Sequence, residues 1–302
     1  MILPPALKKG DKIGITATAR KISHEELQIA IQLFEGVGLQ VVLAPNLFAI
    51  NHQFAGTDQQ KADDFNAMLA NPEIKAIVCA RGGYGTVRMV DLVNWELLKK
   101  QPKWVVGYSD VTVLHSHIHN HTKVVSLHAT MPLGMDVANP EKVEAQNSLC
   151  EAIMGSLPHF DMSAHPLNKT GDARGIITGG NLSVLYSLLG SVSFPETEGK
   201  ILFLEDLDEY LYHIDRMMMG LKRAGKLKNL AALVIGGMSD MRDNTVPFGK
   251  TAEEIIADVV AEYNYPVYFG FPAGHIDRNL ALPLGVEGEI KNGVLRLARV
   301  VK

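Results

Sequence analysis

Ser109 is the residue whose type and position best suit nucleophilic chemistry. It follows an apolar run that ends in a glycine, Val105-Val106-Gly107-Tyr108, and a helix-compatible segment comes after it. A strand that turns sharply into a helix here would expose the serine hydroxyl beside free backbone N–H groups. That is the logic of a nucleophile elbow, although the glycine spacing is not G-x-S-x-G. The simpler alternative is that Ser109 and Asp110 cap a helix.

Two further residues, considered separately, carry groups that acid–base chemistry uses. Glu205 is the first of four acids that follow the apolar run 202–204, and a strand end would hold its carboxylate well enough to orient a histidine. His275 lies in a loop that Gly274 hinges. The alternatives are a solvated acidic loop and a structural histidine.

A glycine-rich loop follows the apolar run 76–80, with the sequence Arg81-Gly82-Gly83-Tyr84-Gly85. Glycines let backbone amides approach a ligand closely and stabilise an oxyanion. The alternative is a flexible turn. No Gly-Lys-Ser/Thr follows, and the spacing does not fit a dinucleotide-binding loop.

Histidines alternate along the segment after Ser109, at positions 115, 117, 119 and 121. Helical spacing pairs His115 with His119 and His117 with His121, on different faces. One pair would suit zinc, but a third ligand is missing, so we expect helix-surface histidines and no metal. Cys79 lies within a predicted strand without a nearby base, which indicates a buried packing role.

The first half of the chain alternates strand-like and helix-like patterns. Strands are predicted over 12–17, 40–44, 76–80, 104–106 and 124–126, and helices over 25–37, over 59–70 and after Ser109. This alternation indicates an α/β fold with a parallel sheet. Both the glycine-rich loop and Ser109 follow strand ends, where sites form in such sheets.

A polar, irregular stretch over 156–172 predicts a linker between units 1–155 and 173–302. The second unit is predicted to begin with a Gly-Gly-Asn turn at 179–181 and a helix to about 189. Strands follow over 200–204, 230–235, 266–269, 286–290 and 294–299, with helices over 210–224 and 251–263. Asn292-Gly293 predicts a type I′ hairpin turn.

Composition narrows the possible partners and compartments. A net charge of −4 gives no electrostatic reason to expect nucleic acid or an anionic membrane as partner. No signal peptide or membrane-spanning run is apparent. The two cysteines show no metal or redox spacing, which favours a reduced, cytoplasmic protein.

Several of these motifs, taken in order, resemble the LD-carboxypeptidases, a serine peptidase family with muramoyltetrapeptide carboxypeptidases and microcin C immunity peptidases among its members. The segments that carry the resemblance span nearly the whole chain: 54–58 (FAGTD), 81–85 (RGGYG), 107–110 (GYSD), 179–183 (GGNLS), 204–206 (LED) and 274–275 (GH). The resemblance implies that Ser109 is the nucleophile, Glu205 the orienting carboxylate and His275 the base.

The resemblance also implies a fold and an assembly. The N-terminal α/β domain would resemble class I glutamine amidotransferases, a smaller mixed α/β domain would follow it, and the site would lie between the two. Members commonly form homodimers. One departure concerns the edge of the pocket, because residues 16–20 read Thr-Ala-Thr-Ala-Arg where many relatives carry Ala-Pro-Ser-type residues.

The implied reaction is the release of terminal D-alanine from a muropeptide tetrapeptide by cleavage of its L,D-peptide bond, without a cofactor. The N–H groups of Asp110 and of Gly83 or Gly82 would bind the oxyanion. Arg81 or Asn181 would receive the substrate carboxylate, with Gly82 and Tyr84 as further substrate-binding residues.

Two alternatives stay open at this point. One is hydrolysis of a microcin-like peptidyl or aminoacyl nucleotide. Relatives of that type stack an aromatic loop residue on the base, whereas here the only tryptophans are Trp95 and Trp104, beside predicted regular elements. The other is a non-catalytic muropeptide sensor, against which all three triad positions argue.

Overall fold

Two β-sheets and their flanking helices make up the computed structural model, which describes residues 1–156, 158–162 and 164–298. Positions 157 and 163 of the predicted linker lie outside the described residues. So do positions 299–302, with the last residue of the strand predicted over 294–299. Within the described ranges, no helix has both the length and the apolar character that crossing a membrane requires.

The first sheet has five parallel strands and one antiparallel edge strand. Its parallel strands are β1 (Lys12–Thr16), β2 (Gln40–Leu43), β3 (Ile74–Cys79), β4 (Trp104–Gly107) and β5 (Ser126–His128). The order is β5-β4-β3-β1-β2, and β11 (Leu282–Leu284) lies antiparallel beside β5. Its helices are α1 (Gln28–Gly36), α2 (Asp58–Ala70), α3 (Thr86–Met89), α4 (Trp95–Lys100), α5 (Thr112–His121) and α6 (Pro140–Ile153).

The second sheet is mixed. Its strands are β6 (His159–Asp161), β7 (Ala173–Asn181), β8 (Ile201–Leu207), β9 (Ala232–Ser239), β10 (Val267–Tyr268), β12 (Glu287–Lys291) and β13 (Val294–Leu297). The order is β10-β9-β8-β7-β12-β13-β6, parallel from β10 to β7 and antiparallel beyond. Helices α7 (Leu182–Ser187), α8 (Leu211–Arg223) and α9 (Ala252–Val260) accompany it.

Strand β8 separates two hydrophobic cores, because alternate side chains of a strand point to opposite faces. Leu202 and Leu204 pack with the helices α7 to α9. Ile201 and Phe203 pack on the other face, with Phe271. The same alternation sends the two acids that follow, Glu205 and Asp206, to opposite faces of the sheet.

The predicted α/β architecture is confirmed, and most elements lie within a few residues of their predicted bounds. Three predictions are wrong in detail. The strand predicted at 124–126 lies at Ser126–His128. The predicted linker contains the edge strand β6, which pairs with β13. The predicted turn at 179–181 is the end of β7, where Gly179 and Gly180 keep strand pairing despite positive φ angles.

Further differences concern the extent and the partners of strands. Strand β8 runs on to Leu207, so Glu205 lies within it and not after it. Strand β11, from the predicted second unit, completes the first sheet. The hairpin turn at Asn292-Gly293 is confirmed by positive φ angles of 51° and 74° at its two residues.

Gly179→Ala is expected to destabilise the protein by about 3 kcal/mol or more. A Cβ at this position, with φ at 127°, would lie 1.9 Å from the carbonyl oxygen of Phe203. Gly190→Ala is the matched control, because φ is also positive at 81° but no atom lies within 4 Å of the added Cβ. Urea unfolding measures both, and equal losses would contradict the close approach.

Candidate active site

Ser109 lies at a sharp junction between strand β4 and helix α5. Tyr108 is extended, Ser109 has φ at 63°, and a 3₁₀ turn Ser109–Val111 leads into α5. A positive φ at a non-glycine residue costs energy and is concentrated at functional sites. At Gly107, whose φ is 157°, a Cβ would lie 2.8 Å from the Val111 side chain, so the turn requires glycine. This is the elbow expected from the sequence.

Glu205 and His275 form a close pair. The Nδ1 atom of His275 lies 2.6 Å from Oε2 of Glu205, and the backbone N–H of His275 donates to the same oxygen at 3.1 Å. Glu205 is completely buried. A Cβ on Gly274 would lie 2.6 Å from Cβ of Glu205, so only glycine lets the loop approach this closely. The 2.6 Å separation lies within the range of about 2.6–3.2 Å that catalytic hydrogen bonds require.

The electrostatic surroundings of His275 favour its charged form. Burial alone would lower the pKa of the imidazole, but the charge of Glu205 and the hydrogen bond to it outweigh burial and raise the pKa above its ordinary value. The ring of Tyr108 packs against the imidazole with centroids 4.7 Å apart. The ring is therefore oriented by a carboxylate on one side and an aromatic face on another.

A cavity of about 620 Å³ brings the predicted residues from both halves of the chain together. Ser109 and His275 both line it. Its other lining residues are Arg20, Arg81, Gly82, Gly83, Tyr108, Met131, Leu133, Gly134, Asn181, Ser183, Val184, Asp206, Leu207, Asp208 and Glu209. Within the described part of the chain, no hydrogen bond joins the Ser109 hydroxyl to His275. Catalytic hydrogen bonds are often long without substrate and tighten when it binds.

The loop after β3 lies directly against Ser109. A Cβ on Gly82 would lie 2.9 Å from Cβ and 3.1 Å from Oγ of the serine. The first backbone hydrogen bond of the 3₁₀ turn runs from the N–H of Val111 to the carbonyl of Tyr108. The N–H of Asp110 comes one residue earlier and is not used by this hydrogen bond. The Asp110 carboxylate accepts a hydrogen bond from the N–H of Thr86 at 2.9 Å, which ties the loop to the elbow.

Arg81 lines the cavity, as a substrate-binding residue should. The two other side chains predicted to bind substrate lie outside the cavity or are already hydrogen-bonded within the protein. Tyr84 does not line the cavity; it is 49% exposed and its ring lies 6.1 Å from that of Phe54. Asn181 lines the cavity, but its amide donates to Asp206 at 2.9 Å and its oxygen accepts from Ser183 and Val184. Asn181 is therefore committed to holding the start of α7.

The histidines of α5 are not the surface residues that the sequence predicts. His115, His117 and His119 are buried. His115 and His119 share the hydroxyl of Ser126, at 2.8 and 3.1 Å, and His117 stacks on His121. The predicted pairing by face is confirmed. Among the described residues, no group of three or more His, Cys, Asp or Glu is arranged to hold a metal ion.

Cys79 is a packing residue, as predicted. It is completely buried in the first core, and burial raises the pKa of its thiol to about 12. A thiol with so high a pKa is not a competing nucleophile at neutral pH.

Sequence reasoning missed two charged residues of the cavity, Asp206 and Arg20. Asp206 is buried, and burial, followed by the charge of Glu205, raises its pKa to about 7. Strand alternation beyond residue 204 would have shown that it faces away from Glu205. Arg20 ends the segment 16–20, which the resemblance places at the edge of the pocket without giving this side chain a role, and the structure shows that it lines the cavity.

An elbow serine, a carboxylate–histidine pair and a glycine-rich loop around one cavity are typical of a serine-type hydrolase. Two family models match the chain: the LD-carboxypeptidase N-terminal domain over residues 13–129 and the LD-carboxypeptidase C-terminal domain over residues 174–290. Together they cover more than half of the chain. The protein therefore belongs to the LD-carboxypeptidase family of peptidases.

Individual relatives agree with this assignment. The probable murein peptide carboxypeptidase of Bacillus subtilis is 34% identical, over 94% of this chain and 90% of its own. A muramoyltetrapeptide carboxypeptidase from Oxalobacter formigenes has a similar structure, with a TM-score of 0.84 and 27% identity over 95% of this chain and 97% of that one. MccF in complex with glutamyl sulfamoyl guanosine shares the fold, with a TM-score of 0.89 at 20% identity over the whole of both chains.

Glu205→Gln is expected to lower the pKa of His275, because the effect of burial is then opposed only by the smaller effect of the Asp206 charge. In the wild type the raised pKa means that the ion pair stabilises the fold below the unfolded-state value of about 6.5. This stabilisation is lost as the pH rises through the higher folded-state value. NMR titration of the ring resonances, assigned with His275→Asn, measures the shift. An unchanged pKa would contradict the electrostatic role of Glu205.

Proposed function

We propose that this protein is a serine-type LD-carboxypeptidase that releases terminal D-alanine from muropeptide tetrapeptide during cell-wall recycling. The observation that carries the proposal is the 2.6 Å contact between Glu205 and His275 in a cavity that Ser109 also lines. Carboxylate, imidazole and hydroxyl are the three groups that acyl transfer through a serine requires.

The geometry suits a two-step reaction. His275 takes the proton of Ser109 as the hydroxyl attacks the carbonyl carbon, and Glu205 stabilises the imidazolium. The N–H groups of Asp110 and of Gly83 or Gly82 bind the oxyanion. The C–N bond then breaks, and His275 gives its proton to the leaving amine. Water, activated by the same histidine, hydrolyses the ester and regenerates the serine.

The substrate assignment draws on the relatives and on charge. The O. formigenes relative is named for a muramoyltetrapeptide and the B. subtilis relative for a murein peptide. A carboxypeptidase must also recognise a free carboxylate, and Arg81 lines the cavity beside Gly82 with a guanidinium suited to it. We also propose that the protein is a cytoplasmic homodimer and that it works without a metal ion or a cofactor.

The alternative substrate is an aminoacyl nucleotide, because the chain shares its fold with MccF, whose structure holds glutamyl sulfamoyl guanosine. Stacking on a nucleobase would need an aromatic side chain at the cavity. Trp95 and Trp104 are buried in the first core, and Tyr108, which lines the cavity, packs against His275. A muropeptide-binding sensor is the other alternative, and the preserved Glu205–His275 geometry argues for catalysis.

Ser109→Ala is expected to reduce turnover on the order of 10⁴- to 10⁶-fold, because it removes the nucleophile. Ser116→Ala is the matched control. Ser116 lies further along the chain on α5, and its buried hydroxyl has no hydrogen-bond partner in the described structure, so this substitution removes no hydrogen bond. Steady-state rates with muropeptide tetrapeptide compare the two variants. Substantial residual activity in Ser109→Ala would exclude this serine as nucleophile.

Incubation with tetrapeptide should release free D-alanine, detected by mass spectrometry, and leave the tripeptide. A peptide that ends in L-alanine should react far more slowly, because the site is expected to distinguish L,D from L,L bonds. A chelator should leave the rate unchanged, since the proposed groups need no metal. Cleavage of an aminoacyl sulfamoyl nucleoside with no release of D-alanine would favour the alternative substrate instead.

A further inference from the structure

The charged side chains that line the cavity differ in whether they already have an ion-pair or hydrogen-bond partner within the protein. Three acids line it: Asp206, Asp208 and Glu209. Asp208 pairs with Arg242, and Glu209 lies 2.5 Å from His213.

Asp206, the third of these acids, accepts hydrogen bonds from the Asn181 amide and from the backbone N–H groups of Ser183 and Leu207. Every acid of this wall therefore already has a partner within the protein.

The two arginines of the cavity are in the opposite situation. Arg81 donates from Nη1 to the backbone carbonyl of Lys21 at 2.9 Å, while its buried Nε has no acceptor. Among the residues that the structure describes, Arg20 forms no side-chain hydrogen bond or ion pair, and Arg81 forms no ion pair with a carboxylate. Two guanidinium groups without an anionic partner thus line the same cavity as Ser109.

Arg20 is held close to the reacting centre by its neighbours. Its backbone pairs with Phe54 in an isolated antiparallel bridge, which fixes the start of the side chain. The side chain then lies along Gly83, where an added Cβ would be 2.2 Å from Cδ of Arg20. Gly83 follows Gly82, which contacts Ser109. Arg20 therefore reaches the cavity across the loop proposed to bind the oxyanion.

We infer that Arg20, together with Arg81, binds the terminal carboxylate of the substrate's leaving amino acid and so restricts the enzyme to free C-termini. The inference rests on the proposed carboxypeptidase function. In such a substrate three covalent bonds, about 4 Å, separate the carbonyl carbon under attack from the terminal carboxylate carbon. A cation that recognises this carboxylate must lie beside the oxyanion loop, which is where Arg20 lies. Guanidinium groups match carboxylates in shape and charge.

The test compares tetrapeptide with its C-terminal carboxamide, which lacks the negative charge. Wild-type enzyme should prefer the free acid, and Arg20→Gln should reduce the acid-to-amide ratio of kcat/KM by about ten- to hundredfold. Arg20→Lys should retain part of the preference because it keeps the charge. Arg174→Gln is the control, since Arg174 is exposed and pairs with Glu287 at 2.8 Å, away from the cavity. It should keep the wild-type ratio.

Several results would overturn the inference, and they differ from failure of the proposed function. An unchanged ratio in Arg20→Gln would overturn it. Equal loss on both substrates would do the same, because Arg20 would then only support the Gly83 loop. If wild-type enzyme cleaves acid and amide equally, the proposed hydrolase function is supported, but the inferred binding of the carboxylate by Arg20 and Arg81 is overturned.

If neither peptide is cleaved, the proposed function fails. Calorimetry then measures whether Ser109→Ala binds the acid more tightly than the amide, which tests the inferred role of Arg20 separately. A preference for the acid that Arg20→Gln abolishes would support carboxylate binding by Arg20 in a protein that binds the peptide without cleaving it. Absence of that preference would overturn it.

Discussion

The contact between Glu205 and His275 is the interaction on which the rest of the site depends. A fully buried carboxylate is costly unless its charge is matched and hydrogen-bonded, and here one oxygen accepts from both the ring and the backbone of His275. The loop after β10 must therefore dock on β8 for the second sheet to be stable. Docking this loop also places the imidazole over the cavity that Ser109 lines from the first sheet.

Strand β8 serves two faces of the molecule at its end. Glu205 faces the loop with His275, and Asp206 faces the start of α7, where it holds Asn181 and Ser183. The pairing of β8 with β9 shifts register between Leu204 and Asp206. On the β9 side, a Cβ at Gly236 would lie 2.3 Å from the carbonyl of Ala273, so a glycine there lets the His275 loop approach.

The sequence predicts the β-α alternation, the elbow at Ser109 and the two partners of the proposed triad, because each depends on local pattern or on short motifs. It does not predict β11, since three apolar residues give no indication of a partner sheet so distant in the chain. The Gly179 region reads as a turn because glycine pairs favour turns, whereas close approach to Phe203 is the actual requirement. The resemblance places residues 16–20 at the edge of the pocket but does not single out Arg20, because the contact of its side chain with Gly83 forms only across the fold.

The antiparallel strand β11 has a consequence for how the molecule is made. Strands β1 to β5 leave the ribosome early, but the edge of their sheet at β5 stays unpaired until residues Leu282–Leu284 have been synthesised. An open edge is a template for pairing with other chains, and in the complete fold β11 covers this edge. His275 precedes β11 by only a few residues in the chain, so the proposed base joins the proposed nucleophile Ser109 at the same late stage.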